Sequence, residues 1–184
     1  MRGNTHVALG LLFALGAKEL LQIPVAPLDG VICVLGALLP DIDEPSSTIS
    51  KPGFFLFPFI PRLMVNIINF WARIISRATH WIFGHRTITH WALIPIGLIS
   101  FAMRFDSTKL LMLGLGYSSH LLGDICTVQG IPLLVPLSFK NISIFKIRVG
   151  GVVENIFATV LWCGLLYYFL IRSSLTSIIT GPFE

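Results

Sequence analysis

Charge is what this chain most lacks. Of its 184 residues, 12% are Asp, Glu, Lys or Arg, about half of the ~25% found in an ordinary soluble domain. With 54% hydrophobic residues and a mean hydropathy of +0.83, the shortage argues for an integral membrane protein in one domain, residues 1–184. Cysteine is scarce as well. Cys33, Cys126 and Cys163 are odd in number, widely spaced and set in or beside apolar runs. No disulfide framework or Cys-based zinc site follows from them. Acidic residues number 9 against 13 basic ones, for a net charge of +4. Nucleic acid is not needed to explain the excess, and no direct nucleic-acid binding is expected. Basic loops beside membrane helices follow the positive-inside rule and attract anionic headgroups. Repeats and low-complexity tracts are missing, and the first apolar run carries no small-residue cleavage site of a signal peptide.

Long apolar runs organise the chain. Val152 to Ile171 is the clearest full-length span, with Glu154 as its single charge. His6 to Ile23 reads as a first helix, capped by Asn4 or Thr5 and interrupted by Lys18 and Glu19. Gly30 to Leu39 is a second run, too short to cross about 30 Å of hydrocarbon unaided, so the first pair is a tilted or a re-entrant hairpin. After a proline-broken aromatic stretch, Phe54 to Phe59, residues Arg62 to Phe83 mix Arg62, Arg73 and Arg77 with Leu, Ile, Phe and Trp. That mixture predicts an amphipathic helix lying in the membrane interface, a partner-binding helix being the alternative. Trp91 to Phe105 and Leu110 to Ile125 predict two further helices, followed by a loop from Thr127 to Gly151 rich in Pro, Gly and bases. The expected fold class is all-α, an integral membrane bundle of about four to five helices plus the interfacial helix.

Against this apolar background the polar residues are informative. Gly84-His85-Arg86-Thr87-Ile88-Thr89-His90 places two imidazoles, a guanidinium and two hydroxyls just before an apolar run. Polar groups at a membrane helix entrance need a reason, being costly to bury alone. On a continuous helix His85 and His90 would lie about 140° apart. If Thr89 caps the next helix, His85 in the loop and His90 in the first turn converge instead. Two ordinary interfacial histidines are the plain alternative. His120 and Asp124, four apart, share a helical face.

Counting crossings then groups the polar residues. The first helix leaves the N-terminal side and the second returns to it, carrying Asp41 and Asp43. The loop with His85 stays there, the third helix departs at His90, and the fourth returns with His120 and Asp124. The last departs with Glu154 in its first turn. His6, Asp41, Asp43, His85, His90, His120, Asp124 and Glu154 therefore reach one face at similar depth. A re-entrant first pair leaves this parity intact. Asp29 and Asp106 fall on the other face, and His80, without a matching partner, reads as interfacial. Singly, each residue has an ordinary explanation: Asp41 as a helix-end turn residue, Glu154 as a charge favoured by the helix dipole, His120 as a core histidine. Together they suit two or more divalent ions, zinc first, with manganese or iron as alternatives. Such ions serve phosphoester hydrolysis by polarising water and neutralising phosphoryl charge. Arg86 is placed to bind a phosphate oxygen, and Asp43 is a candidate general base.

Pro40-Asp41-Ile42-Asp43, the 84–90 heptapeptide and Gly116-Tyr117-Ser118-Ser119-His120-Leu121-Leu122-Gly123-Asp124 together resemble the motifs of the YdjM-like family. His6, Gly130-Ile131-Pro132-Leu133-Leu134 and Glu154 also resemble its pattern, so the likeness covers about residues 4 to 160. The resemblance implies an inner-membrane, metal-dependent hydrolase with His6, Asp41, His85, His90, His120 and Asp124 as ligands, joined by Asp43 and Glu154. The ligand order is more distantly similar to zinc-dependent phospholipase C and related nucleases, an analogy that implies phosphoester hydrolysis without naming a substrate. The expected partners are membrane lipids and a phosphorylated substrate, plausibly a lipid or isoprenoid phosphate. Nine Lys or Arg (2, 51, 62, 73, 77, 86, 140, 146, 148) lie on the polar side against four elsewhere (18, 104, 109, 172). The positive-inside rule then predicts a multi-pass inner-membrane protein with its site at the cytoplasmic face. A non-catalytic metal-binding or scaffold protein is the alternative. A transporter is disfavoured, because polar residues do not continue through the midplane of the other helices.

Overall fold

The structure is a computed structural model and describes residues 1–44, 46–50, 61–83, 88–135 and 137–179. Six α-helices occur among them: α1 Gly3–Glu19, α2 Pro27–Leu38, α3 Arg62–Phe83, α4 Leu93–Arg104, α5 Thr108–Ile125 and α6 Val152–Ile179. Two 3-10 turns, Leu39–Asp43 and Ile88–His90, continue α2 and precede α4. No strand forms among the described residues. Isolated bridges, Thr127 with Ile147 and Ile131 with Ile142, fold the 127–151 loop back on itself. The Phe54 to Phe59 stretch expected as a broken aromatic segment lies outside the described residues.

The all-helical expectation holds, but length limits what each helix can do. At about 1.5 Å per residue, the 12-residue α2 and α4 reach about 18 Å, short of the ~30 Å hydrocarbon core. Among the described residues one helix is long and apolar enough to cross a membrane, Val152–Arg172 within α6, and little of it is buried in the protein. α5 has the length, but Lys109, Ser118, Ser119, His120 and Asp124 dilute its apolar character.

Two expected caps are not used. α1 begins at Gly3 with no side-chain cap, and the Thr5 hydroxyl donates to Glu154 Oε1 at 3.1 Å instead. α4 begins at Leu93 with Ala92 in the capping position. Thr89 and His90 therefore lie in the 3-10 turn ahead of the helix rather than at its cap and first turn. The reason is that the Thr89 hydroxyl is engaged by Asp43 (2.7 Å) and is not available to a helix N–H.

α2, α5 and α1 pack together around the buried Ala14, Ala17, Cys33 and Met112. The backbones of α2 and α5 are in direct contact. A Cβ added at Gly116 would stand 1.9 Å from the Cys33 carbonyl oxygen, and one at Gly36 would stand 2.3 Å from that of Leu113. Only glycine permits such an approach, which brings the α5 side chains onto the α2 backbone. Farther along α5, Tyr117, Leu121 and Ile125 pack with Ile131 from the loop and, partly buried, Ile94 and Leu98 of α4.

Candidate metal centre

Asp41, His90, His120 and Asp124 come together at the end of this packed core. Each offers a ligand atom within 4.8 Å of the others. The two carboxylates and two imidazoles come from the turn after α2, the turn before α4 and one face of α5. His90, His120 and Asp124 are fully buried, and Asp41 is 16% exposed. His120 Nε2 lies 3.6 Å from Asp41 Oδ1 and 3.7 Å from Asp124 Oδ2. The matching distances from His90 Nε2 are 4.0 and 3.6 Å.

The surroundings decide which ring nitrogens carry hydrogen. The Ala37 carbonyl can only accept, so His120 Nδ1–H donates to it, at 2.7 Å. Thr89 spends its one hydroxyl hydrogen on Asp43 Oδ2 (2.7 Å), so at 3.0 Å it accepts from His90 Nδ1–H. Both Nδ1 atoms are therefore protonated, and both Nε2 atoms present a lone pair. Those two Nε2 atoms face one another at 3.3 Å with no proton to share when both rings are neutral. Two lone pairs and two carboxylates turned on a common point repel each other until a cation or protons intervene. Orientation of a ligand imidazole through its other nitrogen is the usual outer arrangement of a metal site. By this chemistry the residues fit a divalent ion.

His6 joins the group from α1. Its ring stacks on that of His120, centroids 3.8 Å apart, and Nε2 is 3.4 Å from Asp124 Oδ1. The ring is fully buried, yet neither nitrogen makes a hydrogen bond. A buried imidazole whose polar contact is limited to this long approach to Asp124 is costly, and a nearby cation would satisfy it. Asp124 thus faces two ways, with Oδ2 toward His90 and His120 and Oδ1 toward His6 and the Met1 amino group, which donates to it. Burial pushes the Asp41 carboxyl up from its ordinary value, while the neighbouring His6 pulls it down.

The remaining expected residues are placed as follows. Asp43, expected as a general base, is fully buried, and its Oδ2 accepts from Thr89. Glu154, expected as a ligand, is held apart from the four-residue group. Its Oε1 accepts from Arg2 N (2.6 Å) and the Thr5 hydroxyl (3.1 Å), and its Oε2 accepts from Gly150 N. The carboxylate fastens the start of α1 to the start of α6, one residue before His6. His85 and Arg86 lie outside the described residues. Asp29, assigned to the other face, lies in the first turn of α2 and accepts from Ala26 N at 2.9 Å.

Sequence reasoning missed three supports. The Ala37 carbonyl carries no side-chain signal, although the facing glycines mark the contact that exposes it. Tyr117 donates its hydroxyl to the Thr89 carbonyl and so holds the turn carrying His90. His80, expected to be interfacial without a partner, donates from Nδ1 to the Asp43 carbonyl at 3.0 Å. A His three residues beyond Arg77 gives no hint of that.

Comparison with known proteins agrees with the motifs. The chain matches the family described as YdjM inner membrane protein over residues 1–180. It is 29% identical over 172 residues to the uncharacterized protein YvsG of Bacillus subtilis (strain 168), covering 92% of this chain and 94% of that one. It is 31% identical over 114 residues to the inner membrane protein YdjM of Escherichia coli (strain K12), covering 58% of this chain and 48% of that protein. The same figures hold for YdjM of Shigella flexneri. No solved structure matches. A match over nearly the full length, together with the motifs that build the buried centre, places this chain in the YdjM inner membrane protein family.

Proposed function

We propose that this protein is a multi-pass inner-membrane hydrolase that uses divalent metal to cleave a phosphoester, acting on a phosphorylated lipid at the cytoplasmic surface. The observation that carries the proposal is the pair of imidazoles whose Nε2 lone pairs face each other at 3.3 Å beside two carboxylates. Asp41, His90, His120 and Asp124 would hold the ion, zinc before manganese or iron, with His6 beside Asp124 for a second. A divalent ion there supplies Lewis acidity, lowering the pKa of water and offsetting charge on phosphoryl oxygens. The chain's own residues do the rest. Thr89 and the Ala37 carbonyl fix the two ring orientations, Asp43 anchors Thr89, and Arg86 binds a phosphate oxygen through its planar fork. The excess of basic residues on the polar side supports the cytoplasmic placement.

The depth of the centre favours a second reading. His6, His90, His120 and Asp124 have essentially no exposed surface, as in a site that holds a metal for structure, in a membrane metal-binding or scaffold protein.

Metal analysis of detergent-purified protein prepared without chelator, beside His90→Ala/His120→Ala, tests the site. Turnover of phosphatidic acid and isoprenoid monophosphates then separates the two readings. Metal lost in the double variant together with wild-type turnover that disappears in His120→Ala supports the hydrolase. Bound metal with no turnover, and unfolding on chelation, supports the structural centre. Absence of metal after reloading defeats both.

A further inference from the structure

We propose that the outer face of α3 is a docking surface for an anionic bilayer leaflet, with Arg73 and Arg77 drawing acidic lipid headgroups toward the turn that carries Asp41 and Asp43. The inference goes beyond the hydrolase reading and does not require it.

The helix divides into three arcs. At about 100° per residue, Val65, Ile68, Asn69, Ala72, Ser76 and Thr79 share one side, and these are its buried or half-buried positions. Arg62, Asn66, Arg73, Arg77 and His80 form the next arc, all exposed. The rest is apolar and turned away from the protein: Leu63 is 71% exposed, Phe70 57%, Trp71 58% and Trp81 87%. A soluble surface does not carry so continuous an apolar strip over six helical turns. An apolar arc with a cationic arc beside it and tryptophans on the apolar side is the pattern of a helix lying in a membrane interface.

Charge selects the leaflet. From Arg62 to Phe83 there is no Asp or Glu, and among the described residues neither Arg73 nor Arg77 pairs with a carboxylate. Arg73 Nε donates only to the Asn69 carbonyl of its own helix, at 3.1 Å, which leaves most of its guanidinium for phosphate oxygens. Acidic headgroups supply the missing counter-charge.

The basic arc ends at the candidate centre. His80, one turn beyond Arg77, donates to the Asp43 carbonyl at 3.0 Å. Asp43 in turn holds Thr89, which holds His90. Headgroups gathered along the arc are thereby delivered beside the turn that bears Asp41.

The test uses the full chain in nanodiscs of equal phosphatidylglycerol and phosphatidylcholine, with bromine on the acyl chains of one lipid or the other. Trp71 is the sole tryptophan (Trp81→Phe/Trp91→Phe/Trp162→Phe), and its quenching reports which lipid adjoins it. Quenching several-fold stronger with brominated phosphatidylglycerol is expected, since one arginine near an anionic surface is worth roughly a fivefold preference. The preference should fall toward one in Arg73→Gln/Arg77→Gln and, without any further mutation, in high salt. Equal quenching by the two lipids at low salt would overturn the anionic preference. Absence of quenching by either, in a variant with unchanged circular dichroism, would show the face turned to water or covered by a protein partner, and the proposal would fall.

Discussion

Replacing Thr89 by valine tests whether the outer hydrogen bonds, and not merely the ligands, build the centre. Valine keeps the β-branched shape and removes the one hydroxyl that links His90 Nδ1 (3.0 Å) to Asp43 Oδ2 (2.7 Å). His90 then loses the acceptor that fixes its tautomer and tilt in a fully buried position. Leaving a buried donor without such an acceptor costs about 1–3 kcal/mol. At 1.36 kcal/mol per decade that corresponds to roughly 5- to 150-fold in metal affinity. The 10- to 100-fold usual for outer-shell partners of metal ligands falls within this range. The expected result is therefore a loss of about 10- to 100-fold for zinc, measured by competition with a chromophoric chelator on protein in nanodiscs. Thr89→Ser, which restores the hydroxyl, should recover most of it. His120→Ala should abolish binding and so calibrates the assay. Zinc affinity in Thr89→Val within about twofold of the wild type, with His120→Ala inactive, would refute the argument that Thr89 orients His90.

Other predictions follow from the same geometry. Glu154→Ala should destabilise the fold by roughly 2–4 kcal/mol, because a buried carboxylate that gathers three donors is removed, while metal stoichiometry stays at the wild-type value. A lowered metal count with unchanged thermal stability would instead make Glu154 a ligand. Gly116→Ala places a Cβ 1.9 Å from the Cys33 carbonyl oxygen, so it should cost at least about 1–3 kcal/mol by overpacking and lower the detergent melting temperature. An unchanged melt would mean that α2 and α5 are not in backbone contact. Chelator treatment should lower the melting temperature of the wild type, and re-addition of zinc should restore it in proportion to free zinc. A His90→Ala/His120→Ala protein should melt independently of chelator.

Much of this protein was legible from residue order alone. A low share of charged residues with clustered apolar runs dictated an all-helical membrane chain, because backbone groups in an apolar phase must be satisfied within each segment. The limits of α3 agree with the sequence reading at both ends, since its 3.6-residue alternation is local. Counting crossings put His6, Asp41, Asp43, His85, His90, His120, Asp124 and Glu154 on one face, and of these the structure brings Asp41, His90, His120 and Asp124 within 4.8 Å of one another, with His6 beside Asp124. Local pattern could not say which members of that face touch. Glu154 shares it yet binds Arg2, Thr5 and Gly150, and Asp43 shares it yet binds Thr89. Nor could spacing reveal that Thr89 would be drawn from its helix cap into the gap between Asp43 and His90. Those assignments rest on distances between residues tens of positions apart, set by the glycine-permitted contact of α2 with α5. Sequence by itself singled out Asp41, His90, His120 and Asp124 among the residues expected on one face, because ligand-type side chains stand out in an apolar chain. Tertiary packing decided which of them present bare lone pairs to a common point and which are spent on holding the others there.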